Sequence, residues 1–197
     1  GCESAYTAFD PDNPVFVYAG CYMGQISEWS EKTRYVRNVM AYPTLPAALA
    51  SRDMKYRFNW NAPIVSSHHD RTTIYHASNV LLRTDNQGVS WTEVSPDLTR
   101  DDDEKQGPGG GPITNEGAGG EIYGTIYYVA ESPHDAGTIW TGSDDGLVHV
   151  TRDGGASWRN VTPPDVGEAM VNAIEVSPND PAAAYIAVTK YKFNDFT

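Results

Sequence analysis

Carboxylates are the residues of this sequence best placed to do chemistry. Asp144 and Asp145 stand side by side ahead of Gly146, while Glu116 and Glu121 end a glycine-rich stretch upstream of them. Hydrolysis of a glycosidic bond needs two such groups flanking it, ~5 to 5.5 Å apart for retention or ~6.5 to 9.5 Å for inversion. If that is the chemistry, Asp144, Asp145 and Glu121 are the candidate catalytic residues. The competing reading makes Asp144-Asp145-Gly146 a turn that caps a hairpin, since Asp and Gly both favour turns.

A second group suits recognition. Arg57, Asn59, Trp60 and Asn61 set an aromatic ring among amide and guanidinium groups. A saccharide fits such a set, because its apolar face stacks on the indole while its hydroxyls pair with planar donors and acceptors. Asn115 and Glu116 would meet further hydroxyls, the glycines between Gly107 and Gly111 letting a sugar chain approach the backbone closely. The alternatives are that Trp60 is core packing, that Arg57 neutralises a loop carboxylate, and that Arg100 to Glu121 is a solvated acidic loop.

Other chemistries find no support. The glycine run lacks the Lys-Ser/Thr of a phosphate loop, and the five histidines have neither zinc spacing nor a place in a Ser-His-Asp or Cys-His arrangement. No metal or cofactor is expected. With 26 acidic against 14 basic residues the net charge is -12, which repels phosphate backbones and anionic membrane surfaces, so nucleic acid is not an expected partner. No apolar run approaches the ~18 to 20 residues of a membrane span. Cys2 and Cys21 are too few for a disulfide scaffold. They are either incidental small residues or, lying nearly cross-strand on the first hairpin, a single disulfide in an oxidising compartment. Asn160-Val161-Thr162 matches a glycosylation acceptor, meaningful only in a eukaryotic secreted protein.

What must position these residues is a repeat. An apolar run, a Pro/Asp/Asn turn and a β-branched pair ending in an aromatic recur at Asp10–Tyr18, Ser67–Tyr75, Ser132–Trp140 and Ser177–Tyr185, starting 45 to 65 residues apart. Each unit reads as a hairpin, followed by a third strand, a tight turn and a fourth strand starting at Trp91 or Trp158. Thr151-Arg152-Asp153-Gly154-Gly155-Ala156-Ser157-Trp158 fits the Asp-box pattern at Thr151, Asp153, Gly155 and Trp158, and Thr84-Asp85-Asn86-Gln87-Gly88-Val89-Ser90-Trp91 fits with Thr84, Asn86, Gly88 and Trp91. In such a turn Asp or Asn accepts backbone N–H groups, Gly takes a positive φ and Trp packs beneath, so these eight residues are expected to be structural.

Four short strands per repeat predict an all-β fold, a β-propeller of about three and a half four-stranded blades. The blades are expected at about 1–39, 56–95, 122–162 and 169–197, as one partial domain over 1–197, with insertions at 40–55 and 100–121. Both insertions belong to the top face, where long loops on a rigid scaffold carry binding and catalysis. Asp153 belongs to the opposite face.

These motifs resemble the sortilin-like and xyloglucanase-like propellers of the BNR/Asp-box class. The likeness runs the length of the chain, through Tyr56–Ile64, Val94–Thr99, Gly110–Asn115 and Trp140–Val150. It implies a seven-bladed ring, hence that 197 residues are part of a longer exported protein, extracellular or periplasmic, and that an isolated arc is poorly behaved. It further implies polysaccharide or oligosaccharide binding, or xyloglucanase-type hydrolysis by carboxylates from different blades. The alternative it leaves open is a sortilin-like module that binds peptide or protein in the channel and catalyses nothing.

Overall fold

The computed structural model describes residues 6–10, 13–44, 46, 49–113 and 122–196, and among them every strand pairing is antiparallel. The first sheet is β1 (Thr7–Phe9), β2 (Phe16–Gly20), β3 (Ile26–Ser30) and β4 (Val36–Asn38), hydrogen-bonded in chain order. The second is β5 (Ile64–Ser66), β6 (Ile74–Ala77), β7 (Leu81–Thr84) and β8 (Thr92–Glu93), and the third β9 (Ile126–Glu131), β10 (Ile139–Ser143), β11 (Val148–Thr151) and β12 (Arg159–Asn160). A fourth pairs β13 (Met170–Val176) with β14 (Ala184–Thr189). The innermost strands β1, β5, β9 and β13 line one shared cavity of about 540 Å³. Sheets radiating from a common axis are the blades of a β-propeller, here three of four strands and one of two.

The core lies between blades rather than within them. Ala8, Tyr18 and Ile26 of the first blade meet Ile64 and Ile74 of the second. Tyr75, Ala77 and Leu81 meet Ile126, Val129 and Ile139 of the third. Trp140, Val148 and Val150 then meet Val171, Ile174 and Val176 of the fourth. Each fully buried aliphatic side chain contributes about 1.5 to 3 kcal/mol of apolar burial. The β-branched residues that make these strands are therefore also what joins one blade to the next.

The third-to-fourth strand turns hold the lower face. Thr151 Oγ1 donates to Asp153 Oδ1 at 2.8 Å and accepts the Gly155 amide at 3.0 Å, while Asp153 accepts the Ser157 amide at 2.8 Å and the Ser157 hydroxyl at 2.6 Å. Those bonds hold the Asp153 carboxyl down at about 2, led by the Ser157 hydroxyl. In the earlier turn Asn86 fills the same place by reversing one bond, its Nδ2 donating to Ser90 Oγ at 2.8 Å while Oδ1 accepts the Ser90 amide at 3.0 Å. Asn86 can thus replace Asp because the serine hydroxyl serves as either donor or acceptor.

The tryptophans of these turns reach across a blade boundary. Trp91 Nε1 donates to the Val39 carbonyl of the first blade and Trp158 Nε1 to the Val94 carbonyl of the second, both at 2.8 Å. Gly155, at φ +101°, presses against the same place: a Cβ there would stand 2.2 Å from the Val94 oxygen. A second clamp comes from the first-to-second strand turns. His69 Nε2 lies 2.8 Å from the Ser132 carbonyl, and His134, two residues after Ser132 as His69 is after Ser67, lies 2.8 Å from that of Ser177. Cys21 is disulfide-bonded and so is not an incidental small residue, while Cys2 lies outside the described residues.

Candidate functional site

Strand polarity puts the second-to-third strand connections and the blade-to-blade connections on the upper face. Arg57, Asn59 and Trp60 lie on the lead-in to β5, and Asp144 and Asp145 on the connection from β10 to β11. Asn115, Glu116 and Glu121 lie outside the described residues.

Arg57 is buried, and its guanidinium is surrounded by acceptors. Nε donates to the Gly124 carbonyl at 2.9 Å, Nη2 to Asp97 Oδ2 at 2.6 Å and Thr99 Oγ1 at 3.0 Å, and Nη1 pairs with Asp101 Oδ1 at 3.0 Å. One side chain thereby ties the way into the second blade, the way out of it and the way into the third. Burial pushes the Asp97 carboxyl up, but hydrogen bonds from Thr99, the Arg57 charge and Asn79 outweigh it, leaving Asp97 below the usual carboxylate range. Removing either partner would strand the other in a half-buried site.

Asn59 continues the same tie. Its Nδ2 donates to the Ile122 carbonyl at 3.2 Å and to Asp144 Oδ2 at 3.3 Å, and its Oδ1 accepts the Asn61 amide at 3.3 Å. The structure therefore brings Asn59 and Asp144 together, with Arg57 one residue away through Gly124. Asp144 is 2% exposed and accepts from four donors: the amides of Gly124 at 3.0 Å and Thr125 at 2.8 Å, the Thr125 hydroxyl at 2.9 Å, and Asn59.

Asp145, 1% exposed, accepts the Ser143 hydroxyl at 2.5 Å and the Arg100 amide at 2.8 Å. Burial drives both carboxyls above their ordinary value, and for Asp144 the neighbouring Asp145 charge adds to it. Both point inward, where they organise the start of the third blade.

The two upper-face insertions are joined. Ala50 and Pro108 form an isolated antiparallel bridge, the Arg52 amide donates to the Gln106 carbonyl at 3.3 Å, and Arg52 Nη1 to the Asp103 carbonyl at 3.2 Å. The second insertion is also moored to the approach to β13: Arg100 Nη2 donates to the Gly167 carbonyl at 3.0 Å, and Lys105 pairs with Glu168, which also accepts the Tyr123 hydroxyl at 3.1 Å.

Trp60, like Asn61 and unlike Arg57 and Asn59, remains partly exposed. Its ring meets Tyr22 edge to face, with centroids 4.6 Å apart. Tyr22 belongs to the one-turn 3-10 helix Tyr22–Gly24 between β2 and β3, so the pair joins the upper faces of the first two blades. Tyr22 is a site residue that sequence reasoning missed, because nothing in the linear spacing of Tyr22 and Trp60 shows that they meet. Among the described residues no group of three or more His, Cys, Asp and Glu is arranged to hold a metal ion, and no helix is long and apolar enough to cross a membrane.

The sequence matches no protein-family model and no curated protein. Solved structures do match. The chain is similar to a GH74 xyloglucanase from Xanthomonas campestris at TM-score 0.60 and 16% identity, over 92% of this chain and 26% of that one. It is similar to a Niastella koreensis GH74 enzyme at 0.59 and 17%, over 92% and 25%. It is also similar to YCF48 bound to D1 peptide at 0.51 and 12%, over 88% and 43%. The chain thus spans less than half the length of each of these proteins. Identities this low establish architecture, and the architecture is shared by all three: this chain is a stretch of β-propeller.

Proposed function

We propose that the upper face binds a polysaccharide, in an extracellular or periplasmic protein whose lower-face turns are Asp boxes of the BNR class. The observation that carries this reading is the Tyr22–Trp60 pair, a partly exposed aromatic edge built by two adjacent blades. Sugar rings stack on such surfaces through their apolar faces. Beside it Asn61 offers an amide, while the buried Arg57, Asn59 and Asp144 set the backbone that presents the indole. Similarity in fold to xyloglucanases supports a glycan ligand and says nothing further about which one.

Asp144 and Asp145 act in this reading as positioning residues. Their oxygens are engaged by the chain's own donors, so a hydrolytic pair would have to draw on Glu121 or on residues outside this chain. Asn115 and Glu116 are proposed as further hydroxyl partners on the second insertion. The test is calorimetric titration with xyloglucan and with soluble β-glucans, with reducing-sugar release followed in parallel. The reading expects binding that Trp60→Ala or Tyr22→Ala weakens by about tenfold, an effect of about 1.4 kcal/mol. Affinity that neither substitution changes would rule out the aromatic pair as the site.

A further inference from the structure

The aromatic pair of the upper face is one end of a longer row. Tyr56, Phe58 and Trp60 alternate along the lead-in to β5 with Arg57 and Asn59, whose bonds run to the approach to the third blade. The rings turn toward the first blade instead. Phe58 packs so closely over Gly24 that no Cβ would fit there, and Gly24 ends the one-turn helix that carries Tyr22. Tyr56 meets Phe58 with centroids 6.1 Å apart and Tyr42 with centroids 6.0 Å apart, and its hydroxyl donates at 2.6 Å to Glu93 on β8, the outermost strand of the second blade. The row therefore runs outward from Trp60 and Tyr22, past buried Phe58, to Tyr56 and Tyr42.

At its outer end the row holds a cation. Lys55 Nζ lies 5.0 Å from the Tyr42 centroid and 4.9 Å from the Tyr56 centroid, within the reach of a cation–π contact with both. Lys55 is exposed, and among the described residues no carboxylate pairs with it. The rings restrict the ammonium without neutralising it, so its N–H donors stay available to an anion. A hollow of about 240 Å³ lined by Gln25, Asn38, Met40, Pro43 and Thr44 follows the same path, Gln25 adjoining the Tyr22 helix and Pro43 adjoining Tyr42. Its amide and hydroxyl groups suit the hydroxyls of one sugar ring.

We propose that Tyr42, Lys55 and Tyr56 form an outer subsite for a saccharide residue bearing a carboxylate, a uronate, on a glycan whose neutral part lies on Tyr22 and Trp60. This rests on the reading that the upper face binds a polysaccharide, and narrows it to a glycan in which acidic residues are sparse. A net charge of -12 repels a densely charged polyanion, whereas a single carboxylate meets Lys55 at close range while the more distant charges are screened beyond about 8 to 10 Å. Glu93, tied to Tyr56, tempers that attraction, so the expected gain is no more than that of an exposed ion pair.

The probes are a β-glucan oligosaccharide whose terminal residue is oxidised to glucuronate and its unoxidised parent, each titrated calorimetrically into the purified protein. The uronate form should bind about three- to fivefold more tightly, and the gain should shrink as salt is raised. Lys55→Gln should bring the two oligosaccharides to one affinity, while Lys55→Arg should keep them apart. Lys32→Gln removes an exposed charge from the turn between β3 and β4 on the lower face, and should preserve the gain. Trp60→Ala should weaken both ligands alike. Equal affinities in the parent protein, or a gain that Lys55→Gln leaves intact, would overturn the subsite while a Trp60-dependent affinity for the unoxidised oligosaccharide kept the upper-face reading. If neither oligosaccharide binds, both fall. A glycine–glutamate octapeptide that binds through Lys55 as tightly as the uronate form would overturn the assignment to a saccharide.

Discussion

The lower and upper faces of these blades are held by opposite strategies. Below, the same bond recurs at successive junctions: an indole N–H to a valine carbonyl twice, and a histidine ring to a serine carbonyl twice. Above, a serine closes the second-to-third strand connection twice, Ser78 against Val80 and Ser143 against Leu147, but the charged bonds do not recur. Arg57, Asn59, Asp144, Asp145 and Arg100 form one continuous set of charged and amide bonds that occurs once, around the lead-in to the third blade. Repetition marks what the propeller needs at every blade. The single, irregular network marks where the chain has diverged from the repeat, and the partly exposed aromatic pair sits beside that network.

The contrast can be broken most severely at Gly155. An added Cβ would meet the Val94 oxygen at a φ that L residues rarely adopt, so Gly155→Ala should destabilise by more than about 3 kcal/mol in urea unfolding. Next comes the upper network, where Arg57→Met leaves Asp97 without its cation. Because Asp97 is 27% exposed, the loss should fall near the low end of the buried-pair range, about 2 to 3 kcal/mol. Trp158→Phe keeps the ring and removes the donor, leaving the Val94 carbonyl short of one bond, and should cost about 1 kcal/mol.

A last effect concerns pH. Asp144 has a folded-state value raised from 3.8 to about 7, so its contribution is fully present below the unfolded value and is lost as pH rises through about 7. Melting temperature followed from pH 4 to 8 should therefore fall less in Asp144→Asn than in the parent chain. A parallel fall in both would show that Asp144 does not titrate in that window.

Much of the fold was legible because repeats encode it. The Pro/Asp/Asn turns, the aromatic-ended strands and the two turns closing at Trp91 and Trp158 are local signals, and within the described residues they lie in the hairpins, Pro11 and Asp12 of the first turn falling outside those residues. The fourth strands begin one residue later than read, at Thr92 and Arg159, because each tryptophan leaves the ladder to reach the preceding blade. His69 and His134 were read as offering little chemistry, yet their shared offset from Ser67 and Ser132 was visible in the sequence and marks a junction clamp.

The upper face was less legible. That Asn59 meets Asp144 across 85 residues, or that Tyr22 meets Trp60, depends on how blades are rotated against each other, and no local spacing carries that. Nor does adjacency in sequence reveal burial. Asp144 and Asp145 look like an exposed acidic turn until the Thr125 and Arg100 donors close over them.

Paired tryptophan substitutions test the division of labour most directly. Trp60→Ala and Trp158→Ala would each be assayed for xyloglucan affinity by calorimetry and for urea unfolding free energy. The account predicts that Trp60→Ala weakens binding by about tenfold with little change in stability, and that Trp158→Ala does the reverse, lowering stability by about 3 kcal/mol or more with affinity preserved in the folded fraction. Xyloglucan affinity that survives Trp60→Ala, or that falls equally in both variants, would contradict it.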